Sequence, residues 1–272
     1  MIDFFSHPFL WMAFLAGIAA SIASGVVGSY VVVKKIVSMS GSIAHSVLGG
    51  MGIFLFLKRT YGFDFLTPLQ GALVFGILSA WLMGFVHLKY KEREDTIIAA
   101  IWSTGMSLGV IFIALTPGFN VELINFLFGN ILWVSHSDLV WLFSLDALIL
   151  AAIFWLYRPL LAICFDEEQA VLQKLPVSFL YLLLLSLVAI TVVLLIQIVG
   201  AILVIALLAI PASIAGGFTS RLSSMMLFAT LLGVLFTFSG LYASYRLNWP
   251  PGATISLVAA LGYGLSFRFR KS

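Results

Sequence analysis

Apolar residues run through this chain in long blocks, and charged residues fall almost only at the block ends. Charge-free stretches of twenty or more residues include Ile36 to Leu57, Phe65 to Val86, Thr96 to Val121 and Val177 to Ser220. At about 1.5 Å of rise per helical residue, each can cross a hydrocarbon core roughly 30 Å thick, and the last can cross twice. Set against flanking charges and turn residues, the blocks predict nine spans near 8 to 33, 36 to 57, 66 to 87, 96 to 116, 139 to 157, 177 to 197, 200 to 219, 222 to 245 and 248 to 267. The expected fold class is therefore all-α, a polytopic membrane helix bundle forming one transmembrane domain over residues 1–272.

Local punctuation refines the pattern. The sixth and seventh spans divide at Gln197 to Gly200, because one helix over the 44 residues of Val177 to Ser220 would far exceed the bilayer. Pro211 lacks an amide hydrogen, so a kink or break is expected there. Asp146 is either a shallow intramembrane acid or, the favoured reading, an interfacial residue that moves the start of the fifth span downstream. Small residues at helical spacing, such as Gly17, Ser21, Ser24, Gly25 and Gly28 in the first span and Ser103, Gly105, Ser107 and Gly109 in the fourth, allow close helix approach and support a compact bundle.

Composition narrows the function classes. The chain is 62% hydrophobic and 9% charged, against about 25% charged in soluble domains, so the bilayer acts as solvent. No aqueous domain large enough for ATP hydrolysis fits beside the spans; such chemistry belongs to a partner. The isoelectric point near 9.0 comes from basic residues at span ends and not from a patch, which excludes nucleic acid as the reason for it. The single Cys164 excludes an internal disulfide and a multi-cysteine metal site. His-Glu-x-x-His, Gly-x-Ser-x-Gly and phosphate-loop signatures are absent, so the chain is not expected to be an enzyme.

Basic residues also give direction. With the N-terminus outside, inner loops hold Lys34, Lys35, Lys89, Lys91, Arg93, Arg158, Lys174, Arg221, Arg268, Arg270 and Lys271, and outer loops hold only Lys58, Arg59 and Arg246. Such asymmetry is the positive-inside pattern, and an odd span count places the C-terminus in the cytoplasm. The first run follows Asp3 and His7 without Lys or Arg, and is expected to remain in the mature protein as a span.

Two segments are too short or too polar to cross. Outside, Pro117 to Ser137 carries Glu122, Asn125 and Asn130 among large apolar residues and is expected to lie on the membrane or dip into the protein. Inside, Pro159 to Pro176 contains Asp166, Glu167, Glu168 and Gln169 followed by Ala170, acids that suit the first turn of a brief helix.

Few polar groups lie at membrane depth. His45 falls midway along a charge-free block, where an imidazole requires a hydrogen-bond partner, a watery cavity or a metal. A role in permeation or metal binding and a purely structural hydrogen bond both satisfy that demand. Asp95 opens the fourth span as a carboxylate favoured by the helix dipole, with a second role at the inner exit of a cation path open to it. Glu122, His136 and Asp138 are either an outer ligand-receiving surface or simply solvated.

The order of several motifs resembles the integral membrane permeases of metal-type ABC importers, which carry zinc, manganese or iron. They are Ser42-Ile-Ala-His-Ser-Val-Leu-Gly-Gly50, Glu94-Asp-Thr-Ile-Ile98, Asn125-Phe-Leu-Phe-Gly-Asn-Ile-Leu132, Phe165-Asp-Glu-Glu-Gln-Ala170, Val199 to Ala212 and Gly240-Leu-Tyr-Ala-Ser-Tyr245. The resemblance implies a homodimeric, multi-pass permease of the bacterial cytoplasmic membrane with a cytoplasmic pair of ATPases and an extracytoplasmic solute-binding protein. It implies an ATPase-coupling segment at about 159–176 that includes Asp166, Glu167, Glu168, Gln169 and Ala170; beside it, the expected metal path runs by His45 and Asp95, and the expected outer mouth lies at Glu122 and Asn125. It implies a divalent metal as substrate and no permanently bound cofactor, with ATP held by the partner. Such permeases commonly carry an aspartate four residues before the second-span histidine; here that position is Gly41. A permease of this architecture for another small solute, or a non-transporting assembly subunit with a structural His45, are the alternatives.

Overall fold

An apolar chain in hydrocarbon must satisfy its amides internally, and helices do so within one segment. The computed structural model describes residues 8–90, 94–118, 126–129 and 131–269. Helix α1 is Pro8–Val33, α2 Val37–Tyr61, α3 Pro68–Tyr90 and α4 Glu94–Leu115. A helical turn at 126–128 and a 3-10 turn at Ile131–Trp133 lead into α5, His136–Phe165. The short α6, Glu167–Leu172, precedes α7, Val177–Phe218, followed by α8, Leu222–Leu247, and α9, Pro251–Ser266. Among the described residues there is no strand.

Among the described residues, eight stretches are long and apolar enough to cross a membrane, counting α7 as the two arms Val177–Gln197 and Val199–Phe218. The remaining expected span falls on α9, whose 16 residues extend only about 24 Å. The arms of α7 part at Gly200, which has φ 79° and ψ 161°. A Cβ there would lie 2.3 Å from the Gly129 nitrogen and 2.6 Å from the Leu127 oxygen, so dihedral and contact both demand glycine. The break thus falls where the block length placed it. At Pro211 the helix runs on, so of the expected kink or break the break does not occur. Proline's fixed φ is itself helical, so its missing hydrogen bond need not end the helix.

The fifth span also departs from its expected limits. A capping box, with Ser135 Oγ accepting from the Asp138 amide and Asp138 Oδ2 accepting from the Ser135 amide, starts α5 at His136. The helix then continues through Pro159 to Phe165, absorbing the first part of the expected inner stretch. Asp146 is consequently not interfacial. It lies ten residues after His136, about 15 Å along the helix, and is 3% exposed, with Oδ2 lacking a hydrogen-bond partner.

Contacts at the helix ends show that successive spans alternate in direction. On one face Lys34, His87, Glu167 and Tyr181 meet, joining the ends of α1, α3 and α5 to α6 and the start of α7. On the other, the backbone at 127–129 touches Gly200, and Gly252 at the start of α9 approaches the Phe128 and Val199 carbonyls. Buried Phe126, Ile131 and Val134 show that the described part of the outer segment dips into the protein.

The tightest packing surrounds α2. Ser42 Oγ donates to the Ile98 carbonyl, and added Cβ atoms at Gly49 and Gly52 would lie 2.8 and 2.7 Å from the Gly105 and Gly109 oxygens. These pairings advance together, so α2 and α4 run parallel. On another side, Gly50 and Gly71 bring α2 against α3 so closely that a Cβ on Gly71 would lie 2.3 Å from the Gly50 oxygen. Backbones this close gain dispersion contact without side-chain entropy loss, the usual device where lipid offers no hydrophobic incentive.

Gly109→Val would drive a Cβ to 2.6 Å from the Leu48 carbonyl carbon; overpacking of that kind costs about 1–3 kcal/mol or more. A lower melting temperature in detergent is expected, whereas Gly264→Ala, with nothing within 4 Å of its added Cβ, should melt like the parent. Equal melting of all three proteins would refute the seam.

Candidate functional site

His45 is held by the seam just described. It stands eight residues after Val37, about 12 Å along α2, and its half-buried ring stacks on Trp102 of α4 at 4.3 Å between centroids and 13° between planes. Its Nδ1 is buried and has no hydrogen-bond partner in the protein. The neighbouring hydroxyls are already committed: Ser42 Oγ donates to Ile98 and Ser46 Oγ to the Ile43 carbonyl, 2.9 Å each. Nδ1 is sealed from solvent as packed, so a water, proton or metal ion would be met by the other ring nitrogen, Nε2, or only after the ring turns.

The surface beside it is polar for its depth. Trp102, Ser103, Thr104 and Ser107 of α4 are exposed, and polar groups at membrane depth normally face protein or water. Gly41 lies one helical turn before His45, and a Cβ there would meet nothing nearer than Ile205 Cδ1 at 3.8 Å. A Cβ fits at this position, where the resemblance leads one to expect an aspartate.

Asp95 is not brought to His45. It is exposed at the start of α4, and the register that pairs His45 with Trp102 leaves it seven residues away, about 10 Å along the axis. Among the described residues no three His, Cys, Asp or Glu side chains cluster as a metal site. The expected outer mouth, Glu122 and Asn125, lies outside the described residues. His136 is exposed, and Asp138 serves as the cap partner of Ser135. A cavity of about 670 Å³ opens elsewhere, between α2, α3, α5 and α7, walled by apolar residues such as Met51, Leu73, Leu142 and Val193. Of the groups lining it only Asp138 is charged, so it offers no ligand set for a cation.

The inner segment divides its labour. Asp166 caps α6, its Oδ1 accepting from the Gln169 amide at 3.0 Å. Glu167 turns inward and accepts a hydrogen bond from Lys34. Glu168 and Gln169 are exposed, whereas Ala170 is buried. Phe165 and Leu172 present large apolar surfaces, 73% and 83% exposed, beside the outward polar pair. Sequence reasoning missed Trp102 as the partner of His45 and Lys34, His87 and Tyr181 as partners of α6. The first carried a signal, being a tryptophan well inside a span rather than in the interfacial belt.

This arrangement has counterparts. Residues 6–270 match the ABC 3 transport family. The chain belongs to that family. A protein of Chlamydia pneumoniae named "probable metal transport system membrane protein" is 47% identical over 269 residues, covering 99% of this chain and 92% of its own. The manganese transport system membrane protein MntC of Listeria monocytogenes is 33% identical over 263 residues, covering 97% of this chain and 91% of its own. The solved structure of PsaBC from Streptococcus pneumoniae in complex with Fab superposes with a TM-score of 0.85 at 32% identity, covering 98% of this chain and 95% of the matched one. The motif resemblance is thus met: the chain is a metal-type ABC permease.

If the Nδ1 of His45 points into packing alone, replacing the imidazole by an apolar ring should be harmless. Trp102 emission in His45→Phe should then match the parent with or without added manganese. The expected result is a metal-dependent emission change in the parent, best read with the other tryptophans replaced by phenylalanine, that His45→Phe abolishes; an identical response in both would separate Trp102 from the metal.

Proposed function

We propose that this chain is the permease subunit of a bacterial importer that moves a divalent transition metal ion across the cytoplasmic membrane. Two copies form the path, a pair of ATPases docks on the α6 face, and an extracytoplasmic solute-binding protein delivers the ion opposite. The family match and the metal-transport names of the relatives support the substrate class. Manganese is the first ion to test because the Listeria relative is named for it. ATP hydrolysis belongs to the partner, since this chain carries no phosphate-binding loop.

The observation that carries the reading is His45, a half-buried imidazole at membrane depth stacked on Trp102 beside an exposed polar face of α4. One imidazole binds a metal weakly, which suits passage better than storage. The second copy, facing it across that polar surface, would complete the coordination. The sequence adds Asp95 as a group nearer the inner exit and Glu122 and Asn125 at the outer mouth.

Orientation follows from the face that holds Lys34, Lys35, Lys174 and α6, which basic residues assign to the cytoplasm. Glu168→Cys in a Cys164→Ser background should therefore react with an impermeant maleimide only after the inner face is opened, and His136→Cys should react in intact cells. The reverse pattern would invert the topology.

Transport itself is tested in liposomes holding the permease, its ATPase and the binding protein. His45→Ala should lower manganese uptake at least tenfold while the ATPase still co-purifies, and acidification should depress uptake in the parent because protons compete with metal for the neutral imidazole. Gly41→Asp, whose Cβ would meet nothing nearer than Ile205 Cδ1, should retain more bound metal and release it more slowly. Full uptake by His45→Ala would return the histidine to a packing role.

A further inference from the structure

A single ionic node ties α6 to the ends of its neighbours. Lys34, just beyond α1, donates from Nζ to the Ile163 carbonyl of α5 at 2.8 Å and to the carboxylate of Glu167 in α6. His87 in the last turn of α3 brings Nε2 to 3.8 Å from the same Glu167 oxygen and stacks on Tyr181 of α7, 4.8 Å between centroids. Lys34 Nζ lies 5.7 Å from the centre of the Tyr181 ring, and the Tyr181 hydroxyl donates to Met39 Sδ in the first turn of α2 at 3.5 Å. Met39 precedes His45 by six residues on one helix.

Glu167 is the hub of this network, and one of its two carboxylate oxygens is held by Lys34 and faced by His87. The side chains of Lys34 and Glu167 are 13% and 32% exposed, so their charge-assisted bond is less screened than one between fully exposed groups. The adjacent Glu168 and Gln169 face outward. One six-residue helix therefore shows an outward edge to solvent and an inward carboxylate to the bundle.

We propose that the Lys34–Glu167–His87 node is the clamp through which movement of α6 reaches α2, making Glu167 a positioning residue within the permease and not an ATPase contact. Force on α6 passes to α1, α3 and α5 through the ion pair and to α7 through Tyr181, whose hydroxyl bears on Met39 below the imidazole. The inference rests on the reading of α6 as the ATPase-coupling helix.

The test is the number of manganese ions taken up per ATP hydrolysed by the reconstituted complex, read beside ATPase co-purification and melting temperature. Glu167→Gln keeps the shape and removes the charge. It should retain the ATPase at parental level while uptake per ATP falls at least fivefold, and Glu167→Asp should recover more than half of the ratio. A merely structural pair would lower the melting temperature and leave the ratio of the folded complex unchanged, which would overturn the clamp, as would loss of ATPase binding by Glu167→Gln in a permease that melts like the parent. If Glu167→Gln does not assemble, His87→Phe is read instead, since it keeps the stack and loses the nitrogen facing Glu167: a ratio at least twofold below the parent supports the clamp, and an unchanged ratio refutes it. A parent complex that neither binds the ATPase nor moves metal would defeat the coupling reading itself, whereas a working parent matched by its variants defeats only the clamp.

Discussion

The whole arrangement depends on helix backbones that touch with no side chain between them. In a bilayer, two apolar surfaces gain little by leaving lipid for each other, so association rests on close contact and on hydrogen bonds. Helix α2 meets that condition on two sides at once, through Gly49 and Gly52 toward α4 and Gly50 toward α3. With its neighbours this near, α2 has little freedom to slide, and the ring of His45 is held over Trp102 by the same register that sets the glycines against each other. Rigidity of the site is thus a property of residues that have no chemistry.

The two polar centres of the molecule share that helix. Near its start, Met39 accepts a hydrogen bond from Tyr181, which belongs to the charged network around Glu167. Six residues later comes His45, about 9 Å further along the axis. A stiff rod with an ionic anchor at one end and an imidazole near its middle is a short mechanical path. The lateral cavity between α3 and α5 takes no part in it, because its lining residues on α2, Val47 and Met51, face other helices than the one bearing Trp102.

Much of this fold is legible in the sequence because the bilayer sets one uniform demand on length and polarity. The charge-free blocks mark the spans, and a run of 44 residues must break, which it does at Gly200. Asp146 shows where that logic stops. A charge inside a block looks like a boundary, yet the Ser135–Asp138 cap begins α5 upstream and the carboxylate is buried in a bundle where α5 packs along α1. Pro211 likewise signals a break by composition but has a φ compatible with helix. The depth of His45 could be counted from the chain; its stack could not, since the offset between α2 and α4 exists only after packing. Lys34, His87 and Glu167 are far apart in sequence, and only the alternating course of the spans brings them to one level.

The glycine seam also constrains how this protein can drift over generations. Hydrogen is the smallest possible side chain, so every replacement along the seam is an enlargement, and trimming the side chain opposite cannot offset it where the nearest obstacle is a backbone atom. A larger residue could persist only if a neighbouring helix moved outward, and where that helix is α4 the shift would carry Trp102 away from His45. Descendants of this chain are therefore free to vary on their lipid-facing sides while α2, α3 and α4 are inherited as a single unit.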